Sequence, residues 1–344
     1  MNAKKILTGV GLAAGGAALA VTALYTELMT SVIARRRNPL TDAIVSAAAG
    51  EPDATDIYGP AIREKAQALQ DLGLEQVAIR SKDDYVLRAR WYPAERAKRT
   101  VILVHGWRSC WNVDFSASSP FLHDHGCNLL LIDQRCHGES GGDLISYGIQ
   151  ERHDVLAWMD WLEANHPGTP VYLCGISMGA ATVLMTTELP VAERISGIIA
   201  DCGYSTPDEI VKMTVGKTLG GFTGPTMAAV NLNCKMRGGF TLKSASPIKA
   251  MAQNTDIPCL FFHGDEDDFV PVRMSLENYY ACRAPKELYI VHGAGHGLSF
   301  MVDPERYQSK VLAFFEAWDN RLPPPPVPEK KKRFGRKSKA ETNL

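Results

Sequence analysis

A chain of 344 residues, 45% hydrophobic and 22% charged, can bury one large α/β domain with extensions or two small domains. Its formal net charge of −1 argues against a nucleic-acid partner, although residues 329–344 crowd seven Lys or Arg against two Glu. The eight cysteines form no C-x-x-C pair, which argues against a zinc ribbon or a thioredoxin-like site. Cys174 and Cys259 lie inside apolar runs, where a free thiol behaves as a small core side chain.

In chain order, Lys4 and Lys5 precede an uncharged run from Ile6 to Thr26, long enough to span a bilayer as a helix. Residues 1–34 are therefore expected to form a single-pass anchor in the cell membrane. The small residues of Ala18-Leu19-Ala20 offer a cleavage site, so secretion after removal of a signal peptide is the alternative. Lys4 and Lys5 on one flank against Arg35, Arg36 and Arg37 on the other leave the orientation open. Residues 35–54, with Asn38-Pro39 and Gly50-Glu51-Pro52, read as a linker.

Ile62, Ala66 and Leu69 recur at helical spacing between Tyr58 and Leu72, and Gly73 is placed to end that helix. Two alternating stretches, Gln76–Arg80 and Tyr85–Tyr92, predict an antiparallel hairpin at a sheet edge. Short apolar strands then alternate with helices: Val101–Val104, Leu129–Ile132, Val171–Cys174, Gly197–Ala200, Cys259–Phe262 and Leu288–Val291. Such continuous apolar runs imply a mainly parallel sheet with helices on both faces, its ligands bound beyond the strands' carboxyl ends. The interval 203–253 breaks this rhythm between two strands and is expected to form a small cap over the site. The globular domain is thus placed at 55–320, followed at 321–344 by a Pro-rich and basic tail without fixed structure, which either solubilises the chain or touches anionic lipid.

The chemistry centres on Gly175-Ile176-Ser177-Met178-Gly179. A strand runs into this G-x-S-x-G and a helix-compatible segment follows, the context that lifts a serine hydroxyl clear of a sheet. Serine needs a neighbouring imidazole to take its proton, and the imidazole needs a carboxylate to fix its tautomer. Both stand downstream, in His263-Gly-Asp-Glu-Asp-Asp-Phe-Val-Pro271 and in His292-Gly-Ala-Gly-His296, each at the end of a predicted strand. Asp265, Asp267 and Asp268 compete as the acid, with Asp201 a further candidate, and His292 competes with His296.

The order Ser177, Asp267, His296 resembles that of the serine α/β-hydrolases, and residues 263–271 are similar to their H-G-x-x-D-x-x-V-P loop. The resemblance covers roughly residues 75–318. It implies an α/β-hydrolase fold, a catalytic triad of Ser177, His296 and Asp267, and an oxyanion hole made by the backbone N–H groups of Met178 and Trp107. The latter lies in His105-Gly106-Trp107, which is similar to the family's H-G-x loop. Asp133-Gln-Arg-Cys-His-Gly-Glu-Ser140 is similar to a bracing loop of the family, so Asp133, Arg135 and His137 read as structural. Trp107 and Trp111 are expected to bind substrate, and Trp158 to pack in the core. Tyr147–Asp154, Asp201–Ser205 and Ala245–Pro247 resemble stretches of poorly characterised bacterial hydrolases with an N-terminal membrane segment. The implied reaction is hydrolysis of a small carboxylic ester through an acyl-enzyme, without metal or organic cofactor. A peptidase or amidase of the same fold and a non-catalytic binding protein are the alternatives.

Overall fold

The apolar runs become one eight-stranded sheet in the computed structural model, which describes residues 24–31, 33–34, 57–219 and 223–322. In chain order the strands are β1 (Glu75–Arg80), β2 (Val86–Tyr92), β3 (Arg99–Val104), β4 (Cys127–Ile132), β5 (Val171–Ile176), β6 (Gly197–Asp201), β7 (Cys259–Gly264) and β8 (Lys286–Val291). Their order across the sheet is β1-β2-β4-β3-β5-β6-β7-β8. The predicted hairpin is the antiparallel β1–β2 edge, and β2 also meets β4 antiparallel. Every later pairing is parallel. Strands β3, β4, β6 and β7 are buried at every residue, because helices cover both faces and no side of these strands meets water.

The helices are α1 (Gly59–Asp71), α2 (Trp111–Asp114), α3 (Ser118–Asp124), α4 (Glu151–Asn165), α5 (Met178–Thr186), α6 (Pro207–Leu219), α7 (Thr223–Gly238), α8 (Pro247–Gln253), α9 (Val272–Ala281), α10 (Ser299–Val302) and α11 (Pro304–Trp318). Helix α5 is buried throughout, as its small and apolar sequence requires. On the same face α4 turns Val155, Trp158 and Leu162 inward, so Trp158 is the core residue expected. On the other face α11 buries Tyr307, Val311, Phe314 and Phe315, one stripe of a helix. Strand β3 lies between β4 and β5, so the chain reverses direction across the sheet there. That switch point sets the loops after β3 and β5 side by side, where ligands bind in open α/β sheets.

Three expectations need correction. Residues 1–23 of the expected anchor lie outside the described residues. The described part opens a helical stretch at 24–31 that packs on α7, not in a bilayer. The Tyr25 hydroxyl bonds that of Thr226, the Asn233 amide donates to the Thr30 hydroxyl at 2.9 Å, and Arg237 pairs with Glu27 at 2.9 Å. Ile33 and Ala34 are buried in the main core. Among the described residues no helix is long and apolar enough to cross a membrane, so the single-pass anchor and the membrane localisation built on it do not stand. Next, the interval 203–253 folds as α6, α7 and α8, but α8 packs on α5 and α9 as part of the body. Finally, Arg321, assigned to the tail, donates to the Ala192 and Ile195 carbonyls at 2.8 Å each and so belongs to the body. The linker at 35–54 and residues 323–344 lie outside the described residues.

Candidate active site

Ser177 sits between β5 and α5 with φ 56° and ψ −116°, a conformation that a side chain with a Cβ adopts only under constraint. The constraint is the tight approach of strand and helix. A Cβ on Gly179 would lie 1.7 Å from the Val104 carbonyl oxygen, and one on Gly175 would lie 2.3 Å from the Gly179 backbone. The Ser177 N–H donates to the Asp201 carbonyl at 2.8 Å, tying the turn to the end of β6.

Two further loops converge on the hydroxyl. His296, on the loop after β8, places Nε2 2.9 Å from Ser177 Oγ and Nδ1 2.7 Å from Asp267 Oδ2. The tautomer consistent with both contacts carries its proton on Nδ1, donates it to the carboxylate and accepts the serine proton at Nε2. Asp267, on the loop after β7, accepts the Phe269 and Val270 N–H groups at its other oxygen, at 2.9 and 2.8 Å. His263 Nε2 lies 3.2 Å from the same Oδ2 that meets His296. Burial alone would push the Asp267 carboxyl up. Hydrogen bonds from His263, His296 and the Val270 N–H outweigh it and hold the group well below the ordinary carboxylate range. The acid is therefore a fixed anion at neutral pH.

The rival acids go elsewhere. Asp265 pairs with His292 at 2.5 Å, and the His292 side chain is 95% exposed. Asp268 offers its backbone carbonyl to Lys217. Asp201 accepts the Ser299 hydroxyl at 2.7 Å instead of an imidazole N–H, and burial pushes its carboxyl up to about 6. Of the four carboxylates that the sequence left in contention, Asp267 is the one hydrogen-bonded to His296.

Loop 105–109, after β3, passes directly beside the nucleophile: a Cβ on Gly106 would lie 3.2 Å from that of Ser177. The Gly106 N–H donates to Asp114 Oδ2 at 2.6 Å, and the Arg108 N–H donates to His137 Nε2 at 3.0 Å. The Trp107 amide lies between these two pinned groups. The Met178 N–H opens α5, where no carbonyl one turn back belongs to the helix. His105 is structural, its ring bridging the Gly106 carbonyl and the Gln134 N–H. Arg135 joins Asp154 at 2.6 Å and Asp83 at 2.8 Å beneath the site, which fits the bracing role.

A cavity of about 370 Å³ opens on Ser177 and His296. Its apolar wall includes Trp107, Phe115, Phe269, Leu298, Phe300 and Met301, and α1 contributes Ile62. Trp111 does not reach it. Helix α2 turns Val113 and Asp114 to the cavity and buries Trp111 in the core against β4, with the Arg90 guanidinium 5.4 Å from its ring. No described residue of 203–253 lines this cavity. Asp114 and His263 had no assigned role in the sequence reading. The spacing of His263 to Asp267, four residues across a tight loop, was the one available signal for it. Cys202 Sγ lies within 4.8 Å of donor atoms of Asp267 and His296. At 2.7 Å apart, however, the imidazole and carboxylate are bonded to each other and leave no space for an ion between them.

A parallel-centred sheet with a strained serine turn, a histidine and a carboxylate on successive later strands defines a hydrolase scaffold. The model of the "Alpha/beta hydrolase family" matches residues 101–308, more than half of the chain, and the chain belongs to that family. An uncharacterised protein of Bacillus subtilis (strain 168), YqkD, is 30% identical over 222 residues, 63% of this chain and 71% of the relative. The esterase Pf2001 of Pyrococcus furiosus superposes with a TM-score of 0.56 at 26% identity, covering 73% of this chain and 95% of its own. An esterase of Exiguobacterium antarcticum, at 16% identity and a TM-score of 0.53, is matched over 70% of this chain and 99% of its own, and shares its fold.

Proposed function

We propose that the chain is a serine hydrolase that cleaves a small carboxylic ester through an acyl-enzyme. The observation that carries this reading is the unbroken relay of Ser177 Oγ to His296 Nε2 at 2.9 Å and of His296 Nδ1 to Asp267 at 2.7 Å. His296 takes the serine proton as Oγ attacks the ester carbonyl, and Asp267 stabilises the imidazolium that forms. The oxyanion is held by the Met178 and Trp107 N–H groups. Losing one such donor costs about 2.7–4 kcal/mol of transition-state stabilisation. His296 then protonates the leaving alcohol, and in the second half-reaction takes a proton from the water that releases the acid and Ser177. Similarity to the esterase Pf2001 and the apolar wall of the cavity favour an acyl ester over a peptide.

A panel of p-nitrophenyl esters of increasing chain length, run beside aminoacyl anilides, tests the reading. Ester turnover by the wild type and its loss in Ser177→Ala are expected. Equal turnover by Ser177→Ala, or preference for the anilides, would overturn the nucleophile or the substrate class respectively.

A further inference from the structure

The stretch at residues 24–31 and 33–34 lies outside the family match, which begins at residue 101, yet it reaches the oxyanion loop. The Ile33 carbonyl accepts two donors, the Trp107 indole N–H at 3.1 Å and the Tyr147 hydroxyl at 2.6 Å. One residue on, the Ala34 carbonyl accepts the Ile145 N–H at 2.6 Å, and the Ser31 carbonyl accepts from the Arg108 guanidinium at 3.4 Å. At its other end the stretch is held to α7 by Tyr25, Glu27 and Thr30. It therefore straps the 203–253 interval to the loops after β3 and β4.

What the strap grips is the residue whose backbone N–H serves as the second oxyanion donor. The Trp107 ring stacks between Tyr147 and Phe269, at interplanar angles of 25° and 12°. Phe269 in turn meets the His296 ring at 5.0 Å, and its N–H donates to Asp267. A shift of the Ile33 carbonyl would move the indole, and through it both the oxyanion loop and the aromatic wall against the base. Misplacement on the order of 1 Å can cost about 100-fold in rate.

We infer that residues 24–31 and 33–34 are a positioning element for the reaction, fixing the Trp107 loop through the Ile33 carbonyl while anchored on α7. This rests on the serine-hydrolase reading above. Ile33, Trp107 through its ring, Tyr147 and Thr30 are positioning residues.

The test uses full-length protein. Trp107→Phe keeps an aromatic ring and removes the indole donor; Thr30→Val keeps the shape and removes the hydroxyl that faces Asn233, away from the cavity. Both variants are compared with wild type for kcat, KM, thermal midpoint and affinity for a boronic acid that forms a tetrahedral adduct on serine. The inference expects kcat to fall about 10-fold in Trp107→Phe and about threefold in Thr30→Val. It also expects KM to stay within about twofold in Thr30→Val, whose side chain lies away from the cavity, and boronic-acid affinity to fall in step with kcat/KM in both variants. Wild-type kcat in Thr30→Val with a lowered thermal midpoint would make the strap merely structural and overturn the inference. Should Trp107→Phe fail to fold, Thr30→Val decides alone. Absence of ester turnover in the wild type is a different failure, because it removes the serine-hydrolase reading itself.

Discussion

Two histidine–aspartate pairs join the loops after β7 and β8, and both use Nδ1 of the imidazole. His296–Asp267 and His292–Asp265 differ by 0.2 Å in length, and the shorter is the pair away from the serine. What separates them is their surroundings. The Asp267 side chain has no exposure, two backbone N–H groups occupy its second oxygen, and His263 stands beside it. Asp265 has one backbone donor, from Gly293, and its histidine stands in water. The His292 hydrogen bond lowers Asp265, and Asp265 raises His292, with little burial to oppose either. A pair of that kind contributes little to stability, because solvent screens it. Proximity of an imidazole to a carboxylate thus makes an ion pair; burial, backbone donors and a third group at Nε2 make a relay.

The comparison breaks most visibly in turnover. Asp267→Asn should lower kcat about 10,000-fold, because the amide favours the wrong tautomer of His296, whereas Asp265→Asn should stay within about threefold of wild type. Steady-state kinetics on one ester checks both, and comparable losses in the two variants would erase the distinction.

A smaller effect concerns the carboxylate that burial wins over. Asp201 has its carboxyl pushed up to about 6 from an ordinary 3.8, so the folded state favours its neutral form. Its contribution to stability is fully present below about 3.8 and is lost as pH rises through about 6. Asp201→Asn should therefore gain on the wild type between pH 4 and pH 8, by roughly 2–3 kcal/mol at about 1.4 kcal/mol per unit of pKa. Urea unfolding at the two pH values measures it, and a difference independent of pH would contradict the assignment. The smallest effect is at His292. Its raised pKa, read by NMR titration, should fall towards the ordinary histidine value in Asp265→Asn with activity intact.

Much of the frame was legible because it depends on local pattern. Val101–Val104, Val171–Cys174 and Cys259–Phe262 are runs that only a sheet covered on both faces accommodates, and Gly175 is demanded by a contact with Gly179 that the short motif itself creates, whereas Gly179 is demanded by the Val104 carbonyl of β3. The order of Ser177, Asp267 and His296 follows from loops leaving parallel strands at one edge. Features set by distant packing were not legible. Trp111 lies on a four-residue helix whose facing depends on β4, and no periodicity over four residues reveals that. The choice among Asp265, Asp267 and Asp268 turns on which carboxylate the loop buries; spacing alone does not encode that, and Asp267 was singled out only by the resemblance of residues 263–271 to the H-G-x-x-D-x-x-V-P loop. The apolar run before Glu27 satisfied a length rule for bilayers, yet its described end is tied to α7 by side chains about 200 positions downstream. Likewise α1 supplies Ile62 to the cavity, a contact that its helical spacing does not reveal.

The central claim is that Ser177 is activated by His296 and Asp267. Reaction with a fluorophosphonate, followed by intact mass and peptide mapping, tests it most directly. The account predicts one adduct, on Ser177, formed at the same rate in wild type and Asp265→Asn and far more slowly in Asp267→Asn. An unreactive wild type, or an adduct on a residue other than Ser177, would contradict it.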